Sequence, residues 1–210
     1  TISGGQVVLS GSSAYVDLPD NLVTGYTSVT FETWVMNTGS GSWARIWDFG
    51  NAAGVNMFLT WPSGSSTLRV AFNPGSGEQL VDGPLPGNNV MQHIVFTQDG
   101  ATQVARLYVN GIQVVQNTGF TLTPGAIGVT ANDWLGRSQY SADPYFVGRI
   151  DEFRIYGVAL PESKILENFA VGPDLPPSDG PVTVIRQPTD ATVVENTPAT
   201  FRVVLNGRPL

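Results

Sequence analysis

Along most of the first 170 residues, apolar and polar positions alternate with a period of two. The run "SVTFETWVMN" (28–37) places Val29, Phe31, Thr33 and Val35 on one face and Thr30, Glu32, Trp34 and Met36 on the other, because successive side chains of a strand point to opposite sides. "ARIWDFGN", "NMFLTW", "TLRVAFN" and "QHIVFTQDG" repeat the pattern, each rich in β-branched or aromatic residues and each closed by Gly, Pro, Asn or Asp. "TLTPGAIGVT" and "WLGRS" continue it. In "ARLYVNGIQVVQ", Asn110-Gly111 supplies the two positive-φ positions of a type I′ hairpin turn. About a dozen strands result, with turns at the 8–12-residue spacing of a sandwich or barrel. One short helix is predicted in "LPESKILENFA", with Pro161 as its first helical residue and Ile165 and Phe169 on one face. Residues 1–170 therefore predict a single antiparallel β-sandwich.

The rhythm then changes. Residues 171–181, "VGPDLPPSDGP", carry four prolines and two glycines and read as a stiff, exposed linker. Residues 182–210 resume β-alternation, but so short a segment cannot bury a core of its own. Its pattern is similar to the opening of an immunoglobulin-like domain. Strand edges left unpaired there are expected either to dock on the first domain or, as the favoured outcome, to be completed by strand addition from another chain.

Composition narrows the function classes. Formal charge is −7 and the pI about 4.5, with no basic stripe, which argues against nucleic acid and against anionic membrane surfaces as partners. The absence of cysteine removes disulfides, thiolate metal sites and cysteine nucleophiles. No apolar run approaches the roughly 20 residues of a membrane span, so membrane insertion is not expected. The chain opens directly on strand-like sequence and reads as part of a longer, secreted or cell-surface protein.

A set of short motifs occurs in a telling order: "GSSAYVDLP", "VTFETWV", "HIVFT" followed by "LYVNG", then "LGRS" and "GRIDEFRIYGVALPESKI". Over residues 5–170 this set resembles the laminin-G-like domains of the concanavalin A-like lectin/glucanase superfamily. The resemblance implies an all-β fold, a jelly-roll sandwich of two curved antiparallel sheets. It also implies kinship with carbohydrate-binding modules appended to bacterial glycoside hydrolases and surface proteins. A further implication is a structural Ca2+ ion ligated by Asp151, its other ligands coming from loops near Gly11 and Ser12 or near Gly50 and Asn51. The alternative is an aspartate that caps loop amides. Alternation in "GRIDEFRIY" sends Asp151, Phe153 and Ile155 one way and Glu152, Arg154 and Tyr156 the other. Asp151 and Glu152 thus cannot converge as a catalytic pair.

Enzymatic readings find little support. The related glucanases carry carboxylates alternating on one strand, E-x-D-x-E, to set acid and nucleophile on one face. No such run is present; Glu32 stands alone in "FETWV" and is expected to be exposed. The single histidine, His93, has no serine–acid partners at motif spacing and reads as structural. A degenerate glucanase site would have to rest on Glu32 or Glu78. Binding is the leading class. Aromatic rings that stack on sugar faces, flanked by carboxylates and arginines that bond hydroxyls, are the signature sought. Trp43 and Arg45 sit in a turn, Trp61 ends a strand, and Trp134, Arg137, Tyr140, Asp143 and Tyr145 crowd the stretch "WLGRSQYSADPYF", in which "SQYSADPY" breaks the alternation and reads as a loop. Arg137 could instead pair with Asp143 and tie that loop down. Trp34 and Trp47 lie within strands and are assigned to packing. The expected function is a non-catalytic extracellular module that binds a polysaccharide or glycoprotein glycan. The alternative is a structural or adhesive module whose partners are tandem β-domains or further copies of itself.

Overall fold

The computed structural model describes residues 1–174, 183–186 and 204–206. In chain order the strands begin β1 (Ile2–Ser3), β2 (Gln6–Ser10), β3 (Val16–Leu18), β4 (Ser28–Asn37), β5 (Arg45–Ala52), β6 (Val55–Thr60) and β7 (Leu68–Pro74). There follow β8 (Gln79–Gly83), β9 (Gln92–Asp99), β10 (Val104–Val109), β11 (Ile112–Asn117), β12 (Asn132–Leu135) and β13 (Val147–Tyr156). Two short helices, α1 (Pro124–Ile127) and α2 (Glu162–Val171), complete the module. A seven-stranded sheet has the order β1-β2-β13-β4-β9-β10-β11, and a six-stranded sheet the order β3-β12-β5-β6-β7-β8. Every pairing is antiparallel. The fold is the expected all-β jelly-roll sandwich.

The core is an aromatic zipper between the sheets. Phe31 of β4 stacks on Trp47 of β5 at 4.2 Å, and Phe153 of β13 meets Phe49 of β5 at 6.0 Å. Phe96 of β9 meets Phe72 of β7 at 5.6 Å, and Phe120 closes on both. Offset and edge contacts at these separations are the favoured arrangements of ring quadrupoles. Val29, Phe31 and Val35 join this core as the alternation predicted. The Asn110-Gly111 turn also forms as expected, with φ of 53° and 78°. In "TLTPGAIGVT" the strand pattern gives way to the helical turn α1, where Pro124 starts a turn and can donate no ladder bond.

Asp151 corrects the simple alternation of the last strand. Ile150 pairs with Val35 and Glu152 with Trp34, so Asp151 is the extra residue of a β-bulge. The bulge lets Ile150 and Phe153, three apart, both face the core. It also removes Asp151 from the core side, where Gln6 Nε2 donates to its Oδ2 at 3.2 Å.

The outer face of the seven-stranded sheet is covered by α2. Pro161 is the N-cap of this helix rather than its first residue, since its ψ of 153° is extended. Ile165 packs on Val95 and Tyr108. Beneath the helix lies Glu32, which is 0% exposed, contrary to the expectation of an exposed side chain. Its carboxylate accepts from His93 Nε2 at 2.8 Å, Tyr156 Oη at 2.8 Å and Asn168 Nδ2 at 3.1 Å. His93 is sandwiched between Trp34 at 4.2 Å and Phe169 at 5.6 Å. Burial alone would raise the pKa of Glu32, but the bonds from His93, Tyr156 and Asn168 together hold it below the ordinary value. The same burial, with Glu32 beside it, pushes the Tyr156 phenol up. Glu32 thus joins helix to sheet and is closed off from any substrate.

β14 (Thr183–Arg186) and β15 (Val204–Asn206) pair antiparallel. The Pro-rich linker from residue 175 on, and the immunoglobulin-like character and strand addition expected of 182–210, otherwise lie outside the described residues.

Two outcomes test this account. Glu32→Ala leaves a buried imidazole, phenol and amide without their acceptor, and is expected to cost about 3–5 kcal/mol in denaturant unfolding; a loss below about 1 kcal/mol would contradict the role given to Glu32. Asp133 is buried beside Leu22 and Thr130, which donate to its Oδ2 at 3.2 Å each. Burial pushes its pKa from 3.8 to about 6. The folded state therefore binds this proton more tightly than the unfolded chain, and the associated stability is present below pH 4 and lost as pH rises through 6. Asp133→Asn keeps an acceptor for both donors and removes the titration. Its stability relative to the parent, from denaturant unfolding, is expected to be greater at pH 7–8 than at pH 4, by on the order of 3 kcal/mol at most; a difference that does not change with pH would contradict the titration.

Candidate functional site

The outer face of the six-stranded sheet carries the candidate site. Cross-strand register aligns Arg45, Thr60, Arg69 and Asp82 in one row and Asp48, Phe58 and Ala71 in the next. Paired residues of neighbouring strands point to the same face. A bulge between Arg45 and Trp47 lets Arg45 and Asp48, three apart, share this face while Trp47 enters the core.

Over these rows lies the loop 136–146, fastened from below. The amide of Gln139 donates to Asp48 Oδ2 at 3.0 Å, and Arg45 Nη2 lies 3.1 Å from Asp143 Oδ2. Within the loop, Ser138 Oγ donates to Asp143 Oδ2 at 2.7 Å, and the Tyr140 amide donates to Ser138 Oγ at 3.0 Å. Asp48 also accepts from Asn56 Nδ2 at 2.8 Å and Arg45 Nε at 3.3 Å. Even so, burial wins over these partners and raises its pKa to about 6. Loop and sheet together enclose a cleft of about 280 Å³ lined by Trp43, Arg45, Phe58, Glu78, Tyr140 and Asp143.

The cleft wall is held under backbone strain. Trp43 has a φ of 71°, a left-handed conformation that costs a residue with a Cβ roughly 1–2 kcal/mol. Such strain concentrates at binding sites. The Trp43 amide donates to Pro62 O at 2.8 Å, and a methyl group at Gly64 would lie 2.9 Å from the indole. Arg69, at the far side, is held in a two-pronged bond by Asp82 at 2.8 and 2.7 Å, with Glu78 at 3.6 Å. Burial, ahead of the opposing pull of Arg69, raises the pKa of Glu78.

Of the eight expected ligand-binding residues, Trp43, Arg45, Tyr140 and Asp143 converge in the cleft. Trp61 does not: it is 1% exposed and part of the core. Thr60, one residue earlier, points outward with Arg45 and Arg69, so alternation turns Trp61 inward. Trp134, Arg137 and Tyr145 form a separate cluster with Tyr15. The Arg137 guanidinium lies over the Trp134 ring at 4.0 Å and the Tyr15 ring at 4.7 Å, and Trp134 Nε1 donates to Asp17 at 3.0 Å. Arg137 therefore does not pair with Asp143, whose partner is Arg45. Phe58 and Asp48 were missed because their strands read only as scaffold; the bulge that re-aims Arg45 has no sequence mark.

The residues proposed for calcium are not brought together. Asp151 lies opposite Gln6, whereas Gly11 lies against Val147, four residues along β13 and thus ~13 Å away. Gly50 and Asn51 belong to β5 in the other sheet. Calcium ligands must sit within about 2.3–2.6 Å of one ion, so this set does not fit it. Among the described residues no three Asp, Glu or His side chains gather as a metal site would need.

With this geometry in hand, the chain can be placed. The Laminin_G_3 model, described as Concanavalin A-like lectin/glucanases superfamily, matches residues 10–166, and the chain belongs to that family. Among solved structures, the fold is similar to the CBM40 module of the Ruminococcus gnavus IT-sialidase bound to α2,3-sialyllactose. The TM-score is 0.67 at 16% identity, covering 77% of this chain and 94% of that one. It is also similar to domain 4 of AbnA, a GH43 extracellular arabinanase from Geobacillus stearothermophilus, in complex with arabinotriose. There the TM-score is 0.64 at 24% identity, covering 76% and 74%. A mutant of the NanB sialidase from Streptococcus pneumoniae matches with a TM-score of 0.64 at 19% identity; 77% of this chain is covered, and only 27% of NanB. At these identities the likeness shows the shared fold. No curated protein matches the chain in sequence. No helix among the described residues is long and apolar enough to cross a membrane.

Gly64→Ala tests whether the indole wall is part of the site. The added methyl must displace Trp43, so any ligand held in the cleft is expected to bind several-fold more weakly, while the thermal midpoint falls by only a few degrees. Unchanged ligand affinity would remove Trp43 from the site.

Proposed function

We propose that this chain is a non-catalytic carbohydrate-binding module of a larger, secreted or cell-surface bacterial protein. One observation carries the reading: the cleft joins aromatic surface, Trp43 and Tyr140, to the carboxylates Glu78 and Asp143 on the outer face of the six-stranded sheet. Sugar rings have apolar faces that stack on aromatics and hydroxyls that donate to carboxylates. Tyr140 is 38% exposed at the rim, where a ligand can reach it. The structural neighbours support the reading, since a CBM40 module and an arabinanase domain were both solved with oligosaccharides. A binding role rather than hydrolysis fits Asp143, whose Oδ2 is already held by Arg45 and Ser138.

Affinity electrophoresis against plant, algal and animal polysaccharides tests the proposal. Retardation by at least one polysaccharide is expected, and Trp43→Ala or Tyr140→Ala is expected to weaken it about tenfold, equivalent to 1.4 kcal/mol. No release of reducing ends is expected on prolonged incubation. Mobility untouched by every polysaccharide, or binding indifferent to both substitutions, would refute the site; reducing ends released by the purified chain would refute the non-catalytic role.

A further inference from the structure

The charges around the cleft are distributed in a way that selects among sugars. Resting on the reading of the cleft as a glycan site, we infer that it takes uncharged sugars and rejects those bearing a carboxylate, such as sialic or uronic acids.

The two cations at the site are already spent. Arg45 is 2% exposed. Its Nε lies 3.3 Å from Asp48, its Nη1 donates to the Trp43 carbonyl at 2.8 Å, and its Nη2 reaches Asp143 at 3.1 Å. The guanidinium faces are covered as well, by the Phe58 ring at 4.0 Å and the Trp43 ring at 5.4 Å. Arg69 gives its fork to Asp82 and borders Glu78. A guanidinium recognises a carboxylate through two parallel N–H bonds; Arg45 has no such edge free, and on Arg69 the Nε–Nη2 edge is taken by Asp82 while Nη1 faces the Glu78 carboxylate at 3.6 Å. An incoming carboxylate would have to displace Asp143 or Asp82 from its partner, or approach Arg69 Nη1 against the neighbouring carboxylate of Glu78.

Carboxylates also outnumber cations here. Asp48, Glu78, Asp82 and Asp143 surround Arg45 and Arg69, four acids against two bases, within a chain of net charge −7. The free oxygens of Glu78 and Asp143 are acceptors only. Sugar hydroxyls can donate to them, whereas a sugar carboxylate brings like charge into a partly closed cleft. The arrangement reads hydroxyl patterns and opposes negative charge.

Matched probes separate this inference from the reading beneath it. Native affinity gels at pH 7 and low salt would carry neutral arabinan, xylan and β-glucan, and two pairs: polygalacturonate against its methyl ester, and a sialylated glycoprotein against its desialylated form. The full chain is expected to be retarded by neutral members only, with the acidic member of a pair at least about tenfold weaker than its neutral counterpart. Glu78→Gln and Asp82→Asn, which remove a charge or release Arg69, are expected to narrow that gap several-fold. Equal or stronger retardation by an acidic member would overturn the inference while leaving glycan binding in place. A gap unchanged in both variants would overturn the charge-based explanation. No retardation by any probe would overturn both the inference and the binding reading.

Discussion

The fully buried carboxylate of Asp48 is the interaction on which the cleft depends. It gathers Asn56 and Arg45 from the sheet and the Gln139 amide from the loop. Burying an ionised carboxylate is costly unless its lone pairs are filled, and here three donors fill them. The outcome is a loop laid across a sheet face that would otherwise be an open platform. Glu32 does the same on the opposite face, drawing His93, Tyr156 and Asn168 together so that α2 lies on the other sheet. Each sheet thus hides one carboxylate under the segment that covers it. The difference lies in what surrounds them. Around Glu32 aromatic rings close the space, while beside Asp48 the loop and the sheet leave a cleft.

Two β-bulges place these groups. One, between Arg45 and Trp47, brings Arg45 round to the face of Asp48; the other, at Asp151, keeps both Ile150 and Phe153 in the core. Each adds one residue to a strand and so changes which side the following residues face. Without the first, the guanidinium could not sit beneath Asp143. The second strips the "GRIDEFRIY" carboxylate of its expected position on the core side, and with it the geometry that a calcium site beside Gly11 or Gly50 would need.

Within the cleft, electrostatics and packing serve one end. Arg45 is stacked between rings and bonded at its edges, so it acts as a rigid floor rather than as a free cation. The strained backbone of Trp43 and the tight approach of Gly64 fix the indole in place. A preformed wall and floor reduce the ordering that a ligand must impose on binding.

The sandwich itself was legible in the chain, because period-two alternation, turn residues and the Asn110-Gly111 hairpin are local signals that each strand carries for itself. Four of the six residues lining the candidate cleft were legible too: Trp43, Tyr140 and Asp143 stand in turn and loop sequence, and Arg45 at the very start of β5. What alternation could not reveal is which loop lies over which strand. Trp61 looked like its tryptophan neighbours in sequence and fell into the core because its strand is paired so that Thr60 faces out. Glu32 looked exposed because it is a lone carboxylate in its strand, yet α2, more than a hundred residues later, covers it. Arg137 shares a loop with Tyr140 but turns to Trp134 of β12 and Tyr15 instead. Local sequence determines which residues can turn toward solvent. Bulges, cross-strand register and the packing of distant segments determine which of them meet, since those depend on contacts between parts of the chain that carry no sign of one another.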